Sequence, residues 1–342
     1  MEKIFFDLGK GYEALVGGGA SALLGETAAK LVKGKKLAII TDSGVPEAHI
    51  SACKAALEAA GFTAPILKLA AGEENKRLSA VEDIYGFLYD NGLTRNDAVA
   101  AVGGGVVGDT AGFAAAAYLR GIGLIHVPTT LLSQVDSAYG GKTGVDFRAG
   151  KNHIGAFYHP LAVLCDTAFL RTLPAGELKN GMGEVIKYGA IADHAILRAA
   201  DGGVPSDGLI AECADIKRRF VEADERDTGE RRVLNFGHTY GHAIEETSGF
   251  TVPHGQAVAY GMLAAVRLGE RLGVTAKGVY EELGNAIIRA DLDADYAPFL
   301  DKALPLLSRD KKFDGSTVEF VLIESIGRPV RMKLAIEGLG IR

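Results

Sequence analysis

Cysteine is scarce in this chain: Cys53, Cys165 and Cys213 are the three among 342 residues. A set so small, odd and widely spaced speaks against a disulfide framework and against a zinc ribbon. All three read as buried free thiols, and any metal would be bound through nitrogen and oxygen. Positive charge is not concentrated either. Lys and Arg number 37 against 43 Asp and Glu, for a formal net charge of -6, and no dense basic block offers an electrostatic footprint for nucleic acid. Anionic ligands must therefore be held by local clusters. No uncharged apolar run approaches the roughly 18 residues needed to span a bilayer. The first residues carry Glu2, Lys3 and Asp7 where a signal peptide would have a basic stretch and an apolar core. The expectation is a soluble, cytoplasmic protein with neither a nucleic-acid nor a membrane partner.

What is present is globular composition, 48% hydrophobic and 23% charged, in a length that suggests two domains. The first part alternates short β-rich apolar runs with amphipathic stretches, the pattern of a parallel sheet with crossover helices. Strands are expected over residues 36–42, 65–69, 98–102 and 123–127, and helices over 45–60, 79–90 and 109–118. After Pro174 helical segments follow one another: 179–192, 209–223, 233–248, 255–272 and 276–290. This divides the chain into an α/β domain, residues 1–174, and a mainly helical domain, 175–342.

Two motifs carry chemistry. Gly103-Gly104-Gly105-Val106-Val107-Gly108-Asp109 satisfies G-x-G-x-x-G between an expected strand and an expected helix, the context of a dinucleotide fingerprint. Bare glycine backbone can approach a pyrophosphate, and the helix N-terminus adds partial positive charge; the alternative is a plain strand-to-helix turn. The ribose-binding acid usual about twenty residues further on is missing, because that stretch reads Val127-Pro128-Thr129-Thr130, whereas Asp42 ends an earlier strand. A rearranged nucleotide site follows, unlike that of an ordinary Rossmann dehydrogenase. The second motif is His238-Thr239-Tyr240-Gly241-His242, with His254 after Pro253. Imidazoles at i and i+4 share a helix face, and with Glu184 they could chelate a divalent ion while leaving positions open. Histidines so spaced also occur as simple packing. Gly237 and Gly241 weigh against that, since a helix-interior glycine costs about 1 kcal/mol and implies close approach.

Taken with further segments, the chain resembles the 3-dehydroquinate synthase family. Those segments are Gly72-Glu73-Glu74-Asn75-Lys76, residues Pro128 to Ser137, Gly141-Lys142-Thr143-Gly144, Gly150-Lys151-Asn152 and Asp310-Lys311-Lys312. The resemblance implies a Rossmann-like α/β domain that binds NAD and a helical, metal-binding C-terminal domain. It assigns a divalent metal, zinc or cobalt, to Glu184, His238 and His254, and makes His242 a substrate contact. It assigns NAD to Asp42, Glu73, Lys76, Gly104, Gly105, Asp109, Thr129, Thr130, Lys142, Lys151, Thr172, Leu173 and Glu177. Substrate falls to Asp136, Lys142, Lys151, Asn152, Lys187, Lys217, Arg231, Asn235 and one of Lys311 and Lys312, with Arg120 reaching in from the partner of a homodimer. The implied reaction converts 3-deoxy-D-arabino-heptulosonate 7-phosphate to 3-dehydroquinate and phosphate in the shikimate pathway. It proceeds by transient oxidation at C5, loss of phosphate, reduction, ring opening and aldol closure. A basic ring suits a substrate with a carboxylate and a phosphate.

Gly44 and Asp146 depart from the family's commonest pattern, which has asparagine at both places. Three other readings share these features: a cyclase forming an inosose or valiolone ring, a metal-dependent alcohol or glycerol dehydrogenase releasing NADH, and a silent nucleotide-binding scaffold. Lys187, Asn235, His242 and the Lys311-Lys312 pair favour the dehydroquinate reading over the first. The cationic residues exceed what a small neutral alcohol needs, and the intact set of ligands disfavours the scaffold.

Overall fold

The computed structural model describes residues 1–148, 150–309 and 317–335. The chain forms two compact units, one of residues 1–174 with 206–226 and one of 175–205 with 227–342.

The first unit is built on seven strands: β1 (Glu2–Phe6), β2 (Tyr12–Val16), β3 (Leu37–Asp42), β4 (Ile66–Leu69), β5 (Ala98–Gly103), β6 (Gly123–Pro128) and, after a separate hairpin, β9 (Ala162–Cys165). Their order is β1-β2-β9-β6-β5-β3-β4, and every pairing is parallel except β1 with β2. The hairpin is β7 (Lys142–Phe147) with β8 (Gly150–Phe157). Central strands of a parallel sheet are covered on both faces, and β5, Ala98 to Gly103, is buried throughout. One face packs Leu37, Ile39, Ala100, Val102, Ile125 and Val127 against α1 (Leu24–Leu31) and α2 (Glu47–Ala59). The other packs Ala38, Ile40, Val99 and Leu124 against α3 (Leu78–Asp90) and α4 (Gly105–Ala117). Each large aliphatic side chain so buried contributes about 1.5–3 kcal/mol.

In the second unit, α5 (Ala175–Ile191), α6 (His194–Ala199), α8 (His238–Thr247), α9 (His254–Arg271), α10 (Val279–Arg289) and α11 (Ala297–Ala303) are joined by the antiparallel pair β10 (Thr317–Ser325) and β11 (Arg328–Ala335). Helix α7 (Asp207–Ala223) belongs to the first unit, whereas the sequence reading placed it in the second. Polar anchors explain its place: Thr167 Oγ1 donates to Asp207 at 2.6 Å, Lys217 reaches Asp136 at 3.0 Å, and Glu222 accepts from the Asp7 amide at 2.8 Å.

Two local differences matter for the sites. Helix α4 begins at Gly105 rather than Asp109, so the glycine loop itself forms the first turn. The stretch expected as one helix over 233–248 is instead a 3-10 turn, Glu230–Asn235, then a break and α8. Gly237 has φ +80 and caps α8, so it is not the helix-interior glycine expected, and His238 opens the helix.

Candidate functional site

In the second unit, close backbone contact places the donors. A Cβ on Gly183 would lie 2.3 Å from the Gly255 carbonyl oxygen, and one on Gly255 would lie 1.9 Å from the Asn180 carbonyl oxygen. Only glycine lets α5 and α9 meet there, and Asn180 Oδ1 seals the contact by accepting from the Gly255 amide at 2.7 Å. The neighbours of these glycines in sequence are Glu184 and His254. A second crossing does the same for α8, where a Cβ on Gly261 would lie 1.9 Å from the Gly237 carbonyl oxygen, next to His238.

The three side chains converge. Glu184 Oε1 lies 3.5 Å from His238 Nε2 and 3.3 Å from His254 Nε2, and the three ligand atoms are within 4.8 Å of one another. Donors about 2.0–2.2 Å from a tetrahedral ion are spaced roughly 3.3–3.6 Å apart, so this set fits a divalent metal. The surroundings fit as well. His238 Nδ1 is 3.1 Å from the Phe236 carbonyl oxygen and His254 Nδ1 is 3.4 Å from Glu245 Oε2. Such partners fix the tautomer and aim the other ring nitrogen at the ion. The second Glu184 oxygen is paired with Lys187, which is 2% exposed.

Burial pushes the His238 imidazole well below its usual range. At His254 burial acts the same way, but the carboxylates of Glu184 and Glu245 prevail and raise it to about 10. A position that so favours positive charge suits a dication. His242, Glu245 and His254 form a second grouping within 4.8 Å. It shares His254 with the first, and His242 itself is exposed. Arg231 is buried in the same unit, and Asn235 Nδ2 donates to the Arg232 carbonyl at 3.1 Å. Glu177 also lies in this unit, in the first turn of α5.

The first unit gathers the nucleotide candidates at the carboxyl ends of β3, β5 and β6, where open α/β sheets bind ligands. Asp42 ends β3 and accepts from the Gly44 amide at 2.8 Å. Gly104 caps α4 and Gly105 opens it. The Thr129 amide donates to the Gly103 carbonyl at 3.0 Å, and Thr130 Oγ1 is 2.9 Å from Ser133 Oγ. Lys76 Nζ meets Asp109 at 2.6 Å with the lysine 6% exposed. Burial raises the Asp109 carboxyl against the pull of Lys76, while at Lys76 burial lowers the ammonium but the carboxylates of Asp109, Glu73 and Asp146 together prevail and raise it. Glu73 lies 3.9 Å from Lys151 Nζ. Thr172 and Leu173 close the 3-10 turn Thr167–Thr172, with Thr172 Oγ1 2.7 Å from His49 Nε2.

Substrate candidates also fall in this unit. Lys217 holds the Asp136 carboxylate at 3.0 Å and its carbonyl at 2.7 Å. Lys142 opens β7. Asn152 has φ +52, and its amide donates to Asp146 Oδ1 at 2.6 Å, which gives the unusual Asp146 a local task. Arg120 is exposed, with φ +66. Lys311 and Lys312 lie outside the described residues.

Models of the 3-dehydroquinate synthase N-terminal and C-terminal regions match residues 66–180 and 181–313. A 3-dehydroquinate synthase of Streptococcus pneumoniae (strain ATCC 700669 / Spain 23F-1) is 41% identical over 336 residues, covering 95% of both proteins. The chain belongs to the 3-dehydroquinate synthase family. Among solved structures, a 2-deoxy-scyllo-inosose synthase complexed with carbaglucose-6-phosphate, NAD+ and Co2+ is similar, with a TM-score of 0.90 and 26% identity, covering 99% of this chain and 98% of that one. A 2-epi-5-epi-valiolone synthase from Streptomyces hygroscopicus subsp. jinggangensis 5008, with NAD+ and Zn2+ bound, shares the fold, with a TM-score of 0.84 and 23% identity over 96% of this chain and 94% of that one.

In this 3-dehydroquinate synthase family member, sequence reasoning missed Glu245, Asn180 and the Gly183–Gly255 contact. Glu245 stands three residues after His242 and reads as ordinary surface charge; its 3% exposure appears only in the fold. The Gly183-Glu184 and His254-Gly255 pairs were signals in plain view, each setting a small residue beside a candidate ligand.

Proposed function

We propose that the chain converts 3-deoxy-D-arabino-heptulosonate 7-phosphate to 3-dehydroquinate and phosphate, with NAD and a divalent metal. The observation that carries this is the Glu184, His238 and His254 convergence, with buried Lys187 and Arg231 in the same unit, in a member of this family.

Glu184, His238 and His254 would hold the metal, and Asp42, Glu73, Lys76, Gly104, Gly105, Asp109, Thr129, Thr130, Thr172, Leu173 and Glu177 the NAD. Bound together, they supply a Lewis acid at the C5 hydroxyl and a reversible two-electron acceptor. Glu184 divides its oxygens, one toward the histidines and one toward Lys187, so Lys187 is held in place before substrate arrives. Lys142, Lys151, Asn152, Lys187, Lys217, Arg231, Asn235 and one of Lys311 and Lys312 grip the carboxylate and phosphate ends. Lys217 neutralises Asp136, which is then free of net repulsion toward an anion. His242, exposed and aligned one turn from His238, contacts substrate rather than metal.

The enzyme acts as a cytoplasmic homodimer in which Arg120 completes the partner's site. Its three cysteines are buried and not joined in a disulfide, in keeping with a reducing compartment, and among the described residues no helix is long and apolar enough to cross a membrane. Activity before and after chelation tests the reading. Metal-free protein should be inactive on the heptulosonate and regain activity with zinc or cobalt; full activity after verified metal removal would sink the metal assignment.

A further inference from the structure

The turn that presents Lys142 is built in an unusual way. Gly140 and Gly141 both adopt left-handed backbone, φ +84 and +69, a conformation that L side chains resist. Three contacts meet on this turn. The Gly140 amide donates to Tyr12 Oη at 3.3 Å, the Gly141 carbonyl accepts from the Tyr158 amide at 2.7 Å, and the His159 ring lies flush against Gly141. A Cβ on Gly141 would fall 2.7 Å from His159 Nδ1.

His159 is itself fixed from several directions. Its Nε2 lies 2.9 Å from Glu225 Oε1, and its side chain is 11% exposed. The ring follows a column of stacked aromatics, Tyr139, Phe6 and Tyr12, with Tyr12 and His159 centroids 6.1 Å apart. Its Nδ1 is buried with no hydrogen-bond partner. A buried polar nitrogen without a partner is destabilising, and valine or leucine would fill the space without that penalty. The histidine thus carries a task other than packing.

We propose that His159 is a positioning residue for Lys142. Held by Glu225, its ring acts as a stop against Gly141 and sets the direction in which the chain leaves the double-glycine turn. The Lys142 ammonium is thereby aimed at the anionic end of the sugar phosphate before it binds. This inference rests on the assignment of Lys142 to substrate under the proposed function.

The test is steady-state kinetics of the NAD- and metal-loaded enzyme with the heptulosonate phosphate. Parent, His159→Ala, His159→Gln, Glu225→Ala, Lys142→Ala and the Lys142→Ala/His159→Ala double variant are compared. Loosening a preset contact should raise KM on the order of ten-fold in His159→Ala, with kcat changed less than about two-fold. Glutamine, whose amide can still donate to Glu225, should restore most of the loss. If His159→Ala does not yield folded enzyme, Glu225→Ala provides the same reading at a half-exposed site. In the Lys142→Ala background the histidine change should add nothing, because its effect passes through that lysine. Parental KM in both His159→Ala and Glu225→Ala, or full additivity in the double variant, would overturn the inference while leaving Lys142 in its role. An unchanged KM in Lys142→Ala itself would overturn the assignment of that lysine, and this inference with it.

Discussion

Replacing Gly255 by alanine perturbs the metal candidates without touching a donor atom. The new Cβ would stand 1.9 Å from the Asn180 carbonyl oxygen, and real Cβ contacts essentially never fall under 3.0 Å. The α5 and α9 backbones must therefore separate by at least about 1 Å at this crossing. Glu184 and His254 are now 3.3 Å apart, and metal–ligand distances tolerate only about 0.2 Å of change. The separation also strains the 2.7 Å bond from the Gly255 amide to Asn180, worth about 1 kcal/mol, on top of about 1–3 kcal/mol for overpacking. We expect zinc affinity, measured by competition with a calibrated chelator, to fall on the order of a hundred-fold, together with a lowered urea midpoint. Gly176→Ala is the control: it lies on the same helix α5 with nothing within 4 Å of its Cβ position, so it should bind zinc normally and gain about 0.5–1 kcal/mol. Parental zinc affinity in Gly255→Ala would refute the view that this contact sets the donor spacing.

The division of roles among the histidines can be tested by metal content: His254→Ala should lose bound metal, whereas His242→Ala should keep it and lose turnover, and metal loss in both would collapse the distinction. Glu245→Gln should weaken zinc binding about 10–100-fold while the fully loaded variant still turns over; unchanged affinity would remove Glu245 from the support of His254. Lys76→Met should cost about 1–3 kcal/mol in denaturant unfolding by leaving the Asp109 carboxylate, 19% exposed, without its ion pair, and Lys76→Met/Asp109→Leu should recover most of it. At Asp97 burial opposes ionisation, but hydrogen bonds from Thr94, Lys36 and Lys35 prevail and hold the carboxyl below its ordinary 3.8. A depressed carboxylate stabilises above its unfolded value, and the contribution is lost as pH falls through the folded one. The acid limb of stability below pH 3.8 should therefore flatten in Asp97→Asn, with lower stability at pH 7; an unaltered acid limb would contradict the linkage.

Much of the sheet was legible because buried parallel strands are runs of apolar residues: the stretches 36–42 and 98–102 became β3 and β5 with ends moved by a residue. Strands β7 and β8 escaped because the hairpin is half exposed and carries Gly144, Gly150 and Gly155 with Lys142 and Lys151, a composition that reads as loop. The return of α7 to the first unit could not be seen in its own sequence. Its amphipathic pattern gives a buried face but not the partner, and the partner is chosen by distant single contacts such as Lys217 with Asp136. The same holds at the metal candidates. Spacing put His238 and His242 on one face, whereas the aim of the ring nitrogens depends on the Phe236 carbonyl two residues before His238 and on Glu184 and Glu245, which the packing of α5, α8 and α9 brings to the histidines. Gly237 misled in kind: its presence did signal close packing, but as a left-handed cap whose carbonyl meets Gly261.

Cyclase and dehydrogenase chemistry separate when inorganic phosphate and the NADH absorbance are followed together, in one reaction containing 3-deoxy-D-arabino-heptulosonate 7-phosphate, NAD and zinc. Phosphate should be released in step with formation of 3-dehydroquinate and no net NADH should accumulate, because the hydride removed at C5 is returned in the same site. NADH rising in proportion to substrate consumed, or substrate left intact while a different sugar phosphate is cyclised, would contradict it.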